Sequence, residues 1–178
     1  MNIVLIGYRA SGKSTIGRIL SEKLSLKFVD IDLDIMAKYD NKSVADIWKE
    51  FGEPSYRETE CDVTEEACRR QGQIIALGGG TPMQSRAFDA LASASNTTRF
   101  FLDAPAEVLF ERSQVDAANR ANRPSFGSGG GLQEIEKMLA IRKPTYQRLA
   151  DHTIDVAEFS FTDAADEIER IIVGADRN

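Results

Sequence analysis

The chain has 178 residues, 42% hydrophobic and 28% charged, with 22 Lys and Arg against 28 Asp and Glu. That length suits a single domain with a full hydrophobic core, and no stretch approaches the ~18 apolar residues of a membrane span. A formal net charge of −6 and a pI near 4.9 exclude general affinity for nucleic acid or an anionic membrane, since both need a basic surface.

Elements follow one another at short intervals. Ile3-Val4-Leu5-Ile6 is an apolar, β-branched run ended by Gly7, which predicts a buried parallel strand. The start Met1-Asn2-Ile3-Val4 lacks the basic opening of a signal peptide, so the chain is expected in the cytoplasm. From Lys13, apolar residues at Ile16, Ile19, Leu20 and Leu24 follow helical spacing. Lys27 to Asp30 predicts a second strand and Leu33 to Tyr39 a short helix. Ser43 is a plausible N-cap for the segment from Val44 to Trp48, and a longer charged helix is expected from about Ser55 to Arg70. Cys61 and Cys68, seven apart on that helix, are separated by about 10 Å of rise, too far for a disulfide, and read as reduced, half-buried thiols.

Gln73 to Leu77 predicts the third strand, ended by Gly78-Gly79-Gly80. Gln84 to Ser95 is expected to be helical, Thr98 to Leu102 a strand, and Ala106 to Arg112 a helix. Ser113 to Gly131 has little periodicity and ends in a glycine-rich run, the composition of a lid loop. Leu132 to Leu149 returns to helix, which Pro144 is expected to bend or interrupt. His152 to Val156 and Ser160 to Val173 predict a weak strand and a terminal amphipathic helix. Strands alternating with helices imply a parallel sheet covered on both faces, with functional groups at the strands' carboxyl ends. One domain, 1–178, with a lid at about 113–131, is expected.

Gly7-Tyr8-Arg9-Ala10-Ser11-Gly12-Lys13-Ser14 fits the phosphate-loop pattern, and here a buried strand precedes it and a helix follows. Glycines let the backbone curl so that N–H groups face phosphate oxygens, and the helix N-terminus adds positive potential. Lys13 is placed to neutralise the β and γ phosphates and Ser14 to put its hydroxyl on Mg²⁺. Asp30 and Asp32 leave the second strand. Two apart on an extended segment, they would point the same way, one toward Mg²⁺ through water and the other toward an attacking hydroxyl. Asp32 could equally cap the helix from Leu33. Gly78-Gly79-Gly80 fits either close approach of a ligand or a flexible turn. Arg57, Arg123 and Arg142 come from separate segments, and each is a surface charge or an anion clamp. Arg123 falls in the lid, where it could swing onto a transferring phosphate and exclude water.

Taken in order, these motifs resemble the shikimate kinase family, within the nucleoside monophosphate kinase group of phosphate-loop folds. The resemblance runs from about Ile3 to Leu149. It rests on Gly7 to Gly17, Asp30-Ile31-Asp32, Ser43 to Ile47, Gly52-Glu53 with Tyr56-Arg57-Glu58 and Glu60, Leu77 to Gly80, Asn122-Arg123-Pro124, and Arg142 to Tyr146. It implies ATP-dependent phosphorylation of the 3-hydroxyl of shikimate, a step toward aromatic amino acids, on a five-stranded parallel sheet of order 2-3-1-4-5. It also implies site roles. Ala10, Ser11, Gly12, Lys13, Ser14 and Thr15 would bind ATP, with Arg112 near the adenine and Arg123 on the phosphates. Asp30 and Ser14 would hold Mg²⁺. Asp32 would meet the substrate hydroxyls as the candidate base. Arg57 and Arg142 would clamp the carboxylate, beside Gly78, Gly79 and Gly80. The expected partners are ATP and shikimate, with no nucleic acid or membrane, and a monomer is expected. Another small-molecule kinase of this fold, or a nucleotide-binding regulator without turnover, are the competing readings.

Overall fold

The computed structural model describes residues 1–115 and 131–175. Its strands are β1 (Asn2–Ile6), β2 (Lys27–Asp30), β3 (Gln73–Ala76), β4 (Thr97–Asp103) and β5 (His152–Asp155). They pair in parallel in the order β2-β3-β1-β4-β5, the order that the resemblance implies. The helices are α1 (Lys13–Leu24), α2 (Ile31–Lys38), α3 (Val44–Arg69), α4 (Ser85–Ser93), α5 (Ala106–Val115), α6 (Leu132–Leu149) and α7 (Phe161–Ala175). Among the described residues, no helix is long and apolar enough to cross a membrane.

The central strand explains its own composition. All of β1 is buried, because helices cover both faces of the sheet. Its side chains divide with the two-residue period of a strand. Ile3 and Leu5 join a core with Ile16 and Leu20 of α1 and Ile168 of α7. Val4 and Ile6 join the opposite core with Ile35 of α2, Val63 of α3 and Tyr146 of α6. An uninterrupted apolar run is therefore required there.

Several elements bear on the sequence expectation at points with a local physical cause. α2 begins at Ile31, two residues before Leu33, because the Asp30 carboxylate accepts from the Asp32 N–H at 3.1 Å and caps the helix. The acidic pair therefore does not lie on an extended segment: Asp30 ends β2 and Asp32 sits in the first helical turn. α3 carries a break at Gly52 (φ +82°), and Pro54 then fits the first turn of the second half, so the expectation of two helices holds locally. α6 runs through Pro144 as one helix. Packing holds it on both sides of the lost N–H: Tyr146 is fully buried, and Lys143 pairs with Asp103 at 2.6 Å. Finally, at the ends of the segment expected to be a lid, Ser113–Val115 complete α5 and Gly131 is the N-cap residue of α6. The rest of it, including Arg123, lies outside the described residues. Cys61 and Cys68 are free thiols on α3; Cys68 is half-buried as expected, whereas Cys61 is fully buried.

Candidate active site

Parallel strands place their carboxyl ends on one side, and the segments that leave β1, β2 and β3 there form two adjoining clefts. The first lies over the phosphate loop. Gly12 takes φ +92° as the residue before α1 and offers no side-chain cap, so the first N–H groups of the helix are left for a ligand. A side chain at Gly12 would also collide with Phe161, whose ring lies 2.6 Å from an added Cβ. Ala10 adopts φ +63°, so the curl of the loop is shared with a residue that is sterically strained there. Lys13 arches over the loop and donates to Gly7 O (2.9 Å) and Tyr8 O (2.8 Å). Ser14 Oγ donates to Asp30 Oδ2 at 2.7 Å. A hydroxyl and one carboxylate side by side fit Mg²⁺, which usually takes one or two protein oxygens and fills its octahedron with phosphate and water. Among the described residues there is no cluster of three or more acidic, His or Cys ligands that would compete.

The far wall of this cleft is aromatic and cationic. Arg112 donates to Val156 O at 2.6 Å and lies 5.0 Å from the centre of the Phe161 ring. Phe159 and Val115 line the same cleft and are exposed. Flat apolar faces beside a guanidinium suit a purine base. Sequence reasoning does not single out Phe159 and Phe161, since their spacing around Ser160 reads there only as a helix start.

The second cleft contains Asp32, Arg57, Arg142 and all three glycines after β3. Arg57 Nη1 pairs with Glu60 Oε2 at 2.7 Å, and its Nε with Glu53 at 3.2 Å. Its guanidinium lies 5.3 Å from the rings of both Trp48 and Tyr56. Burial, the largest influence, opposes its charge, but the charge and hydrogen bond of Glu60 outweigh it and hold the Arg57 pKa above the ordinary value. Glu60 is 1% exposed and bonds Thr81 Oγ1 at 2.7 Å. Burial pushes its carboxyl up against the pull of Arg57, so this pair is held by satisfied hydrogen bonds in a setting that disfavours charge. Arg142 donates to Gly79 O at 3.2 Å and Tyr146 to the same oxygen at 2.5 Å. Burial raises the Tyr146 pKa to about 12, which keeps that donor protonated.

The glycine run is needed for close approach. An added Cβ at Gly78 would meet Asp32 Oδ1 at 2.7 Å and Glu60 Oε1 at 3.1 Å, and one at Gly80 would meet Arg57 Nη1 at 2.8 Å. The neighbours that require glycine here are the protein's own Asp32, Thr81, Glu60 and Arg57 side chains. The alternative for Asp32 is removed: Asp30 is the cap, and the Asp32 carboxylate receives the Tyr56 hydroxyl at 3.3 Å. Asp32 and Arg9 line both clefts. From the sequence, Tyr8 and Arg9 take no role beyond the phosphate-loop pattern, and Trp48, the single tryptophan, takes none.

A strand, phosphate loop and helix opening onto a second cationic pocket define a phosphate-loop phosphotransferase for a small anionic acceptor. A family model described as shikimate kinase matches residues 9–172. A shikimate kinase from Rhodopirellula baltica is 33% identical over 167 residues, covering 94% of this chain and 88% of that one. One from Oleidesulfovibrio alaskensis is 37% identical over 156 residues, covering 88% of each. The structure of the Acinetobacter baumannii shikimate kinase in complex with shikimate superposes with a TM-score of 0.88 at 29% identity, over 98% of this chain and 93% of that one. The chain belongs to the shikimate kinase family, and it is an enzyme of that kind.

Proposed function

We propose that the enzyme transfers the γ-phosphoryl group of ATP to the 3-hydroxyl of shikimate, with ATP over the phosphate loop and shikimate between Arg57, Arg142 and the glycines. The observation that supports this is that Asp32 lines both clefts, so a nucleotide held in one and an acceptor held in the other would meet beside it. In the reaction the acceptor oxygen bonds to the γ-phosphorus as the bond to the bridging oxygen breaks. ADP keeps that electron pair, and the hydroxyl proton passes toward Asp32. Transfer of this kind rests mainly on positioning and charge neutralisation, so Asp32 orients the hydroxyl at least as much as it takes its proton.

The remaining roles complete this reading. Ala10 to Thr15 supply loop N–H groups and the helix terminus to the phosphates, and Lys13 neutralises them. Ser14 and Asp30 would hold Mg²⁺, which supplies positive charge to the phosphates when bound. Arg57 and Arg142 meet the shikimate carboxylate with paired donors. Arg112 and Phe161 take the adenine faces, and the family resemblance assigns Arg123 to the phosphates. The 178 residues act as one kinase domain, as a monomer in the cytoplasm, where ATP is supplied.

The test is ADP release measured with shikimate, gluconate and nucleoside monophosphates in turn. Release that depends on shikimate alone is expected. Release that depends on another acceptor, or ATP binding without any turnover, would overturn the assignment.

A further inference from the structure

Arg9 shares with Asp32 the junction of the two clefts, and a carboxylate from another helix faces it. Glu134 lies in the first turn of α6, with its side chain 11% exposed. Among the described residues neither of its carboxylate oxygens has a hydrogen-bond partner, and neither does the buried Nε of Arg9. Arg9 Nη2 stands 3.9 Å from Glu134 Oε1, close enough for strong attraction and too far for a hydrogen bond. A carboxylate taken out of water without hydrogen bonds is costly, and a nearby cation is what offsets it. Arg142 and Arg9 both lie within 6 Å of the Tyr8 ring, at 5.7 and 5.6 Å.

We propose that Glu134 is a positioning residue, which holds the Arg9 guanidinium at the junction of the clefts so that Arg9 contacts the phosphoryl group throughout its passage from ATP to the acceptor. This rests on the transfer reaction proposed above. A cation confined to one cleft would lose the phosphoryl oxygens midway, whereas Arg9 lines both. Charge on those oxygens is met best by donors already in place. The long separation from Glu134 suits this role, because it fixes where the guanidinium sits and leaves the donors unsaturated.

A double-mutant cycle on the full chain tests this. Glu134→Gln, Arg9→Met and the double variant are compared by steady-state kinetics with ATP and shikimate, alongside the thermal midpoint. Glu134→Gln is expected to lower kcat about tenfold, with both KM values within about threefold of the parent. Arg9→Met is expected to lower kcat about a hundredfold, and the double variant to match Arg9→Met alone, because Glu134 acts only through Arg9. If Glu134→Gln does not fold, Glu134→Asp, which keeps the charge and shortens the reach, enters the same cycle with a smaller expected loss. Effects that multiply in full in the double variant would overturn the proposal, as would an Arg9→Met enzyme with parental kcat. If the unmodified enzyme releases no ADP with shikimate, the acceptor assignment falls first and this inference falls with it. If the unmodified enzyme turns over and the cycle is multiplicative, only the role of Glu134 is lost.

Discussion

Replacing Gly78 with alanine sets a methyl carbon 2.7 Å from Asp32 Oδ1, 3.0 Å from Thr81 Oγ1 and 3.1 Å from Glu60 Oε1. Ordinary contact begins near 3.4 Å, so the Asp32 carboxylate must retreat by about 0.7 Å, the difference between 3.4 and 2.7 Å. The methyl cannot simply shift away instead, because its other near neighbours, Thr81 and Glu60, are both buried, at 0% and 1% exposure. Overpacking of this kind costs about 1–3 kcal/mol of stability. The kinetic effect is the sharper test. A displacement approaching 1 Å at a reacting centre costs up to about a hundredfold in rate, so a loss of about 10- to 100-fold in kcat/KM for shikimate is expected. ATP affinity, measured by titration, should change little, since Gly78 lies in the acceptor cleft and not over the phosphate loop. Gly174→Ala is the control: nothing lies within 4 Å of a Cβ there and the residue is in a helix, so activity should hold and stability should rise by up to ~1 kcal/mol. A Gly78→Ala enzyme with unaltered kcat/KM would refute the close approach of Gly78 to the working carboxylate.

Other substitutions separate the roles of the two clefts. Asp32→Asn should cut kcat about a hundredfold or more with little change in ATP affinity, and equal losses in both would mark Asp32 as a structural group. Arg57→Ala should raise the KM for shikimate by at least about 30-fold, the effect of about 2 kcal/mol for losing the partner of a desolvated substrate carboxylate, while an unchanged KM would remove Arg57 from the carboxylate site. Burial pushes the Cys68 thiol up to about 11 from 9.0. The native protein should therefore resist alkylation at Cys68 near pH 8 and lose that resistance in denaturant, and rapid native labelling would contradict the burial. The sign for stability follows: the folded chain keeps this thiol protonated, so its contribution is intact below pH 9.0 and is lost as pH rises toward 11, visible as a falling thermal midpoint.

Much of the fold was legible because local rules and tertiary demands coincide. The apolar runs at Ile3 to Ile6 and Ile74 to Leu77 are what a doubly covered parallel sheet requires, and Ser43 caps its helix as its side chain predicts. Boundaries slipped where a side chain changed the backbone path, as Asp30 did by capping α2 two residues early. At Pro144 packing overrode a local breaker, since Tyr146 and Lys143 hold the helix on both sides.

The phosphate loop was readable from the sequence alone because its chemistry is backbone chemistry, carried by a contiguous stretch whose glycines, lysine and serine announce it. Asp32, Arg57, Gly78 to Gly80 and Arg142 were readable as a set only through their resemblance to a family, since each one alone is also a common surface or turn residue. What only the tertiary structure decided is how these residues meet. Arg57 and Glu60 share one helix, but Thr81, Gly79 and Tyr146 join them from distant segments. Arg9 and Glu134 stand 125 positions apart in the chain and 3.9 Å apart in space. Spacing along a sequence constrains neighbours within a helix or strand, whereas contact between separate elements depends on how the whole sheet and its helices pack.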